Sequence, residues 1–402
     1  MAASRQKESD ASERAAFPRV LLLCPDLDIG GLQRVAVNLA KGLSDLGVRP
    51  LCLVLRRGGA LRDLLPQHIE VHELGCTSQP LALLLPTSKL GRALRAARPN
   101  VVLSCGHMTN LLAAWAKVLW GFSFSLVASE HSTLSQRIAG GSTLSRLRRR
   151  LRARSLYRKA HCVVCVSQGV AEDLTALGVV PAKKARVIYN PIVDLSMLEQ
   201  AKAPVDHPWM GGEIPVLLAV GRLVALKAYD DLLRAFQIFR EEAGLAARLV
   251  LLGEGPERGR LEALTATLGL EDCVCFAGRQ TNPYAWMARA SALVLSSRCE
   301  GFGSVLAEAM ACGTNVVATD CRSGPREILE GDRWGHLVPV GDVSALARAM
   351  RDTLLNPLPR ADLIRAAERF SVTRSAALWR DLILEAAQGD GNCKRAERGG
   401  AT

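Results

Sequence analysis

Short β-branched or leucine-rich runs alternate with segments of helical period along nearly the whole chain, and the alternation occurs twice. Before the break, strands are predicted at Val20–Cys24, Leu51–Leu55, Ile69–Leu74, Val101–Cys105, Leu126–Ser129 and Cys162–Val166, with helices at Leu32–Leu46, Leu90–Ala97 and Leu144–Lys159. The break is Lys202–Pro215, where three prolines and two glycines sit among polar residues, a linker composition. After it come strands at Val216–Val220, Arg248–Leu252, Cys273–Ala277, Ala292–Ser296 and Asn315–Thr319. Helices are predicted at Tyr229–Ala243, Glu257–Leu268, Val305–Ala311, Val343–Leu355, Ala361–Phe370 and Ser375–Ala387. Strands that alternate with helices build βαβ units, and these demand parallel sheets covered on both faces. The expectation is an α/β protein of two doubly wound Rossmann-like domains, residues 17–198 and 216–372, facing across a cleft. Residues 199–215 are expected to link them, the helix at 373–388 to pack back towards the first domain, and residues 1–16 and 389–402 to be disordered. Ligands of open α/β sheets lie at the carboxyl ends of the strands, so the informative residues are those that follow a strand.

Composition removes several classes. The chain has 402 residues, half of them apolar, enough for two or three ordinary cores. The longest apolar stretch, Leu111–Ala128, is interrupted by Lys117, Gly121, Ser123 and Ser125. It falls short of the ~20 residues that cross a bilayer and reads as a buried helix followed by a strand. Val20–Cys24 is too short for a secretory signal and runs into Pro25 and Asp26, so the expected location is the cytoplasm. Of the twelve cysteines, Cys162 and Cys165 form a CxxC inside a strand-like run, and Cys273 and Cys275 are one residue apart in another. Neither makes a metal knuckle, and reduced, buried thiols are expected. The formal charge of +12 calls for an anionic partner: nucleic acid, an anionic membrane face or an anionic substrate.

Three strand-to-helix turns carry candidate chemistry. The first is Asp28-Ile29-Gly30-Gly31-Leu32-Gln33-Arg34, where paired glycines admit a ligand to the backbone and the helix start favours an anion. It lacks the third glycine of a dinucleotide fingerprint. The second is Gly221-Arg222-Leu223 with Lys227, a planar fork and a point charge that suit a diphosphate leaving group. The neighbouring Gly253-Glu254-Gly255-Pro256 reads as a structural turn. The third is Glu300-Gly301-Phe302-Gly303-Ser304-Val305-Leu306-Ala307-Glu308. Here glycines free the backbone, free N–H groups open a helix near Ser304, and the two carboxylates are placed to meet sugar hydroxyls. Each of these turns also has a plainer reading as a structural loop or a solvated charge pair.

Gly-Arg-Leu…Lys followed some seventy residues later by Glu-x7-Glu resembles the retaining glycosyltransferase family 4, of the GT-B fold, over nearly the whole chain. Further runs carry the resemblance: Ser129-Glu130-His131, Val187-Ile188-Tyr189-Asn190-Pro191, Phe276-Ala277-Gly278, Asn282-Pro283-Tyr284 and Ser323-Gly324-Pro325-Arg326-Glu327-Ile328. The last three resemble the branch that adds N-acetylhexosamines or related sugars to bacterial surface glycans. The resemblance implies that Arg222 and Lys227 hold the donor diphosphate, with the backbone of Gly303, Ser304 and Val305 against its phosphates and Gly30 and Gly31 nearby. Phe302 would belong to the same donor loop. It assigns Glu308 to the ribose hydroxyls, Glu300 to a hydroxyl of the donor sugar, Arg279 to the border of the nucleobase and His131 to the reacting carbon or the sugar's primary hydroxyl. The donor implied is a UDP-sugar co-substrate, with no cofactor. One departure is Ala228, where the family usually carries glycine.

Retention fits the residues that are missing, since neither a general base for inversion nor a carboxylate nucleophile stands out. The implied mechanism has the leaving phosphate accept the acceptor's proton on the same face. Asp230-Asp231 opens a helix rather than closing a strand, so metal independence is expected. From His131 to Ala171 there is no acidic residue, while Arg146, Arg148, Arg149, Arg150, Arg152, Arg154, Arg158 and Lys159 crowd one helix. With Leu144, Leu147, Leu151 and Tyr157 on it, this helix suits the anionic inner face of the cytoplasmic membrane and a glycan or lipid-linked acceptor. The leucines can equally face the core, and nucleic acid is disfavoured because stacking aromatics are scarce. Two alternatives stay open: a UDP-sugar 2-epimerase of the same architecture and a non-catalytic subunit of a glycan assembly complex.

Overall fold

The computed structural model describes residues 17–76, 84–140, 142–242 and 244–398. By contacts the chain falls into two compact units. The first gathers the described residues up to Val166, Val170–Pro191 and those from Val372 onward; the second holds Ser167–Gly169 and Ile192–Ser371. The expected disorder of residues 1–16 lies outside the described residues.

The first unit is built on seven parallel strands: β1 (Val20–Cys24), β2 (Leu51–Val54), β3 (Val71–Glu73), β4 (Val101–Cys105), β5 (Ser125–Glu130), β6 (Cys162–Cys165) and β7 (Ala185–Val187). Their order is β3-β2-β1-β4-β5-β6-β7. β1, β4, β5 and β6 are buried at every position, as expected of strands covered on both faces; β1 and β6 are apolar throughout, while β4 and β5 also bury Ser104, Ser125, Ser129 and Glu130. Burying one leucine of β1 contributes about 2 kcal/mol. The order reverses between β1 and β4, which pair directly, Val20 opposite Val101. The turns after those two strands therefore flank the switch point of this unit.

The second unit repeats the plan with six parallel strands: β8 (Val216–Val220), β9 (Arg248–Leu252), β10 (Val274–Gly278), β11 (Ala292–Leu295), β12 (Asn315–Thr319) and β13 (His336–Val338). Their order is β10-β9-β8-β11-β12-β13, which puts the switch point between β8 and β11. Those strands deliver Arg222 and Glu300. Each unit has its own apolar cluster.

The helix Val372–Arg398 belongs to the first unit, and Trp379, Leu382, Ile383 and Ala386 sit in its core. It lies close against the helix Gly31–Asp45, because a Cβ at Gly42 would come 2.7 Å from both Ala376 Cβ and Val372 Cγ1. Ser375 donates to the Tyr189 carbonyl at 2.9 Å and Ser125 to the Ala386 carbonyl at 2.7 Å. Where disorder was expected beyond residue 388, the backbone stays helical to Arg398. Lys202–Pro215 is irregular as its composition demands, while the residues before it form a helix, Leu195–Ala201.

Leu111–Ala128 resolves into the end of a helix, His107–Leu119, and most of β5. No helix among the described residues is long and apolar enough to cross a membrane. The eleven described cysteines are free thiols. Burial pushes Cys162 and Cys165 up to about 12, so both stay protonated as packing groups.

Candidate active site

In the second unit every expected site residue lies at the carboxyl edge of the sheet or on the helix that starts there. β8 ends in Gly221-Arg222-Leu223, and the turn after β9 packs onto it backbone to backbone. A Cβ at Gly253 would lie 1.9 Å from the Gly221 carbonyl oxygen, and one at Gly255 would lie 2.3 Å from that of Leu223. Leu223 N–H donates to Glu254 at 3.0 Å. Gly253-Glu254-Gly255 is thus the support beneath the Arg222 turn, and its glycines answer to that close approach.

Lys227 ends a single 3-10 turn, Ala225–Lys227, and the chain then reverses through Ala228 at φ 48°, ψ 44°. This left-handed geometry explains why a glycine suits the position. Alanine pays a cost of about 1 kcal/mol there, and its methyl is fully buried. The Lys227 carbonyl accepts from Ser296 Oγ at 2.8 Å, which ties the turn to the end of β11.

Lys227 Nζ and Glu300 Oε1 are 2.5 Å apart, with side chains only 21% and 13% exposed. Ser297 Oγ donates to the same oxygen at 2.6 Å. The carboxylate is therefore held by a cation and a hydroxyl from the neighbouring strand end. The family resemblance implies Lys227 on the diphosphate and Glu300 on a sugar hydroxyl; the fold joins them as a pair. Arg222 is exposed and forms no ion pair among the described residues, so its charge is uncompensated.

Gly303 caps the helix Ser304–Ala311 in the left-handed region, φ 84°, and the backbone of Ser304 and Val305 opens that helix as expected. Phe302 is buried against Phe370, ring centroids 5.4 Å apart, so it anchors the loop from behind. Gly324 braces the same loop, because a Cβ there would lie 1.8 Å from the Phe302 carbonyl oxygen. Glu308 is half-buried one turn into the helix, on the side of Ser304. Arg279 directly follows β10 and is exposed. Asp230 and Asp231 are engaged by Arg298, at 3.4 and 2.9 Å.

In the first unit, Gly30 is extended and nothing lies within 4 Å of a Cβ built on Gly31. Neither backbone strain nor packing in that unit asks for glycine at residue 31. His131 follows β5, and its Nε2 lies 2.6 Å from Ser129 Oγ. Burial lowers its pKa to about 4, against the pull of Glu130, so the ring is neutral near pH 7.

From sequence Glu130 has no role beyond its place in Ser129-Glu130-His131, yet at 1% exposure it is, with Asp173, the most buried carboxylate of this unit. Its Oε1 receives the Tyr157 hydroxyl and Asn110 Nδ2 at 3.2 Å, and lies 3.1 Å from His107 Nδ1. Burial alone would raise its pKa, but His107, Arg137 and the Tyr157 hydroxyl hold it below the ordinary carboxylate value. The pairing of β4 with β5 brings His107 and Asn110 beside Glu130, and the helix Thr143–Tyr157 adds the hydroxyl.

On the basic helix, Thr143–Tyr157, Tyr157 does not share a face with the leucines grouped with it from sequence. Ala153, Leu156 and Tyr157 face the core, whereas Leu144, Leu147 and Leu151 are 58%, 47% and 52% exposed.

Two doubly wound parallel sheets, with cations, carboxylates and a glycine-capped helix at the carboxyl edge of the second, define a GT-B glycosyltransferase. Comparison with known proteins agrees. The family model described as Glycosyl transferases group 1 matches residues 211–370, and that described as Glycosyltransferase Family 4 matches residues 29–194. The chain belongs to the family 4 type of glycosyltransferase. The lipopolysaccharide core biosynthesis glycosyltransferase LpsE of Rhizobium meliloti (strain 1021) is 28% identical over 357 residues, 89% of this chain and 94% of the relative. The N-acetylgalactosamine-N,N'-diacetylbacillosaminyl-diphospho-undecaprenol 4-alpha-N-acetylgalactosaminyltransferase of Campylobacter jejuni is 36% identical over 199 residues, 50% of this chain and 52% of the relative. Among solved structures, Anabaena HepE with UDP-glucose matches at TM-score 0.68 and 23% identity, covering 94% of this chain and 100% of that one. The lipopolysaccharide outer core galactosyltransferase WaaB matches at TM-score 0.68 and 20% identity, covering 91% and 99%.

Proposed function

We propose that the chain is a retaining, metal-independent transferase that moves a hexosyl or N-acetylhexosaminyl unit from a UDP-sugar to a glycan or lipid-linked acceptor in surface polysaccharide or lipopolysaccharide synthesis. The observation that carries this reading is the Lys227–Glu300 pair beside the glycine-capped helix Ser304–Ala311, with Arg222 uncompensated at the end of β8. As the anomeric C–O bond breaks, charge grows on the leaving diphosphate. Arg222, Lys227 and the N–H groups of Ser304 and Val305 stabilise that charge where it develops. Glu300 and Glu308 take hydroxyls of the sugar and ribose, and Arg279 borders the base. A phosphate oxygen accepts the acceptor's hydroxyl proton while the new bond forms on the same face. No other base is needed, and His131, neutral near pH 7, is suited to hydrogen-bond the donor sugar. The names of LpsE, WaaB and the Campylobacter relative support surface-glycan acceptors, and HepE supports a UDP-sugar donor.

The basic helix supports docking to an anionic leaflet, on the inner face of the cytoplasmic membrane. Its arginines attract the surface and its exposed leucines enter it.

The deciding measurement is hydrolysis of UDP-, GDP- and ADP-sugars by the purified chain in EDTA. We expect release of UDP alone and retention of configuration in the transferred sugar. Turnover only with a GDP- or ADP-sugar overturns the donor assignment, and activity that returns only with Mg²⁺ or Mn²⁺ overturns metal independence. Conversion of UDP-N-acetylglucosamine to its 2-epimer without acceptor establishes the epimerase reading instead.

A further inference from the structure

The first unit holds a second polar constellation that donor chemistry does not use. β4 lies at the switch point of its sheet, and the chain after it turns through Gly106 into the helix His107–Leu119. Beside that helix is a cavity of about 130 Å³ lined by His107, Leu111, Leu134, Arg137, Arg149 and Arg152. Three arginines and an imidazole converge on it, and none of the arginines forms an ion pair among the described residues. Arg137 donates to Ser132 Oγ at 2.7 Å, Arg149 to the Gly140 carbonyl at 3.1 Å, and Arg152 lies 4.6 Å from the Trp115 ring centre. These contacts steady the side chains without an ion pair, although the buried Glu130 carboxylate feels the charge of Arg137. His107 Nδ1 is occupied by Glu130 Oε1 and the Tyr157 hydroxyl, at 3.1 and 3.2 Å, which leaves Nε2 as the ring atom for the cavity. The buried Glu130 thereby fixes the imidazole's orientation, as a carboxylate behind a working histidine does. The remaining wall, Leu111, Leu134, Ile138 and Ala153, is apolar.

We propose that this cavity is a subsite for the phosphate or diphosphate of an anionic acceptor. His107, Arg137, Arg149 and Arg152 act as donors, Glu130 is the residue that positions His107, and the leucine wall meets the first carbons of the acceptor's chain. Paired guanidinium groups and an imidazole are the donor set that phosphate oxygens select. The arginines at residues 149 and 152 share their helix with the exposed leucines, so a membrane-borne phosphate ester would reach the cavity from the surface that the helix contacts. The inference rests on the transferase reading, in that it names a substrate class for the same enzyme.

Binding of pyrophosphate, farnesyl diphosphate and farnesol to the full chain, measured by calorimetry with UDP at saturation, tests it. Saturating UDP keeps the probes off the donor diphosphate site. Both diphosphates are expected to bind, and Arg137→Gln and Arg149→Gln each to weaken them about ten-fold or more, while Arg365→Gln on the second unit leaves them unchanged. Farnesyl diphosphate binding well above pyrophosphate identifies a lipid-borne phosphate; equal affinity identifies a soluble phosphate ester. Farnesol binding as tightly as farnesyl diphosphate, or affinities indifferent to both arginine variants, overturns the subsite. Folding of each variant is checked by circular dichroism, so that loss of structure does not pass for loss of binding. For Glu130→Gln, the ¹⁵N signals of the His107 ring are expected to shift in tautomer population; unchanged signals remove the positioning role. Absent UDP-sugar hydrolysis by the wild-type chain would strike the transferase reading alone.

Discussion

At the scale of the residue, the central fact is that the two cations of the second unit are not equivalent. Lys227 is neutralised by Glu300 at 2.5 Å, whereas Arg222 is exposed and forms no ion pair among the described residues. An uncompensated, planar donor aimed at developing charge contributes most in the transition state. Arg222→Ala is therefore expected to lower kcat by about 100- to 1000-fold with little effect on stability, the usual scale for such donors. Lys227→Met removes a charge but also strands Glu300 in a largely desolvated setting, so it should lower both activity and melting temperature. Losing one partner of a buried pair costs about 3–5 kcal/mol, with less here because both groups keep some solvent. Paired kinetics and thermal denaturation distinguish the two; equal destabilisation by both variants would contradict the asymmetry. His131 makes a separate statement about pH. The unfolded ring takes up a proton below its ordinary 6.5, but the folded ring does so only near 4. Folding stability is thus full above pH 6.5 and falls as pH drops towards 4, by on the order of 2 kcal/mol after allowance for the ring's partial exposure. Denaturant midpoints between pH 7 and 5 should fall less for His131→Asn than for the wild type.

At the scale of the element, the helix Thr143–Tyr157 shows what sequence period conveys and what it does not. Leucines three and four residues apart announce a stripe, yet the stripe that is buried runs through Ala153, Leu156 and Tyr157. Which face meets the core depends on where the sheet lies, and six arginines spread around the helix leave no clearly polar face to oppose the apolar one. With Leu144, Leu147 and Leu151 outward, each leucine that enters an acyl region contributes about 1–2 kcal/mol, added to roughly 1 kcal/mol per nearby cation. The triple change Leu144→Ser, Leu147→Ser, Leu151→Ser should cut sedimentation with phosphatidylserine vesicles by on the order of 100-fold, in line with that apolar contribution. Undiminished sedimentation would leave charge as the whole attraction.

The strands were more legible than the helix faces. Apolar runs bounded by glycine, proline or small polar residues marked β1, β4, β8, β9, β11 and β12 within a residue or so, and with them the turns that bear Gly30, Arg222 and Glu300. The three-residue edge strands β7 and β13 were missed, since so short a run carries no period. Ala228 was noticed as a departure, but the left-handed backbone that makes glycine suitable there is visible only in the fold. Ala228→Gly is expected to raise or hold the melting temperature, because the relieved backbone cost offsets the lost methyl. The Glu130–His107 contact was not legible at all. The two residues stand 23 positions apart, and no local pattern joins adjacent strand ends.

At the scale of the whole molecule, chain order and compact units do not coincide. The last helix of the sequence completes the first unit, and its Trp379, Leu382, Ile383 and Ala386 belong to a core whose other buried members precede Pro191. The second unit, by contrast, is nearly continuous in sequence and keeps a cluster of its own, centred on Leu232, Phe236 and Phe239. Removing those three large side chains of the last helix takes away about 5–8 kcal/mol of apolar burial. A domain's whole stability is typically about 5–15 kcal/mol. A chain that stops at Ser371 should therefore lose the fold of the first unit, while the second retains its own core and the Arg222, Lys227 and Glu300 constellation. In hydrogen exchange, the amides of β1, β4 and β5 should become unprotected in the shortened chain and those of β8, β9 and β11 should stay slow. A saturable thermal shift with UDP is expected to persist as well. Protection lost in both sets together would mean that neither unit stands alone, and the second unit could not then carry donor binding by itself.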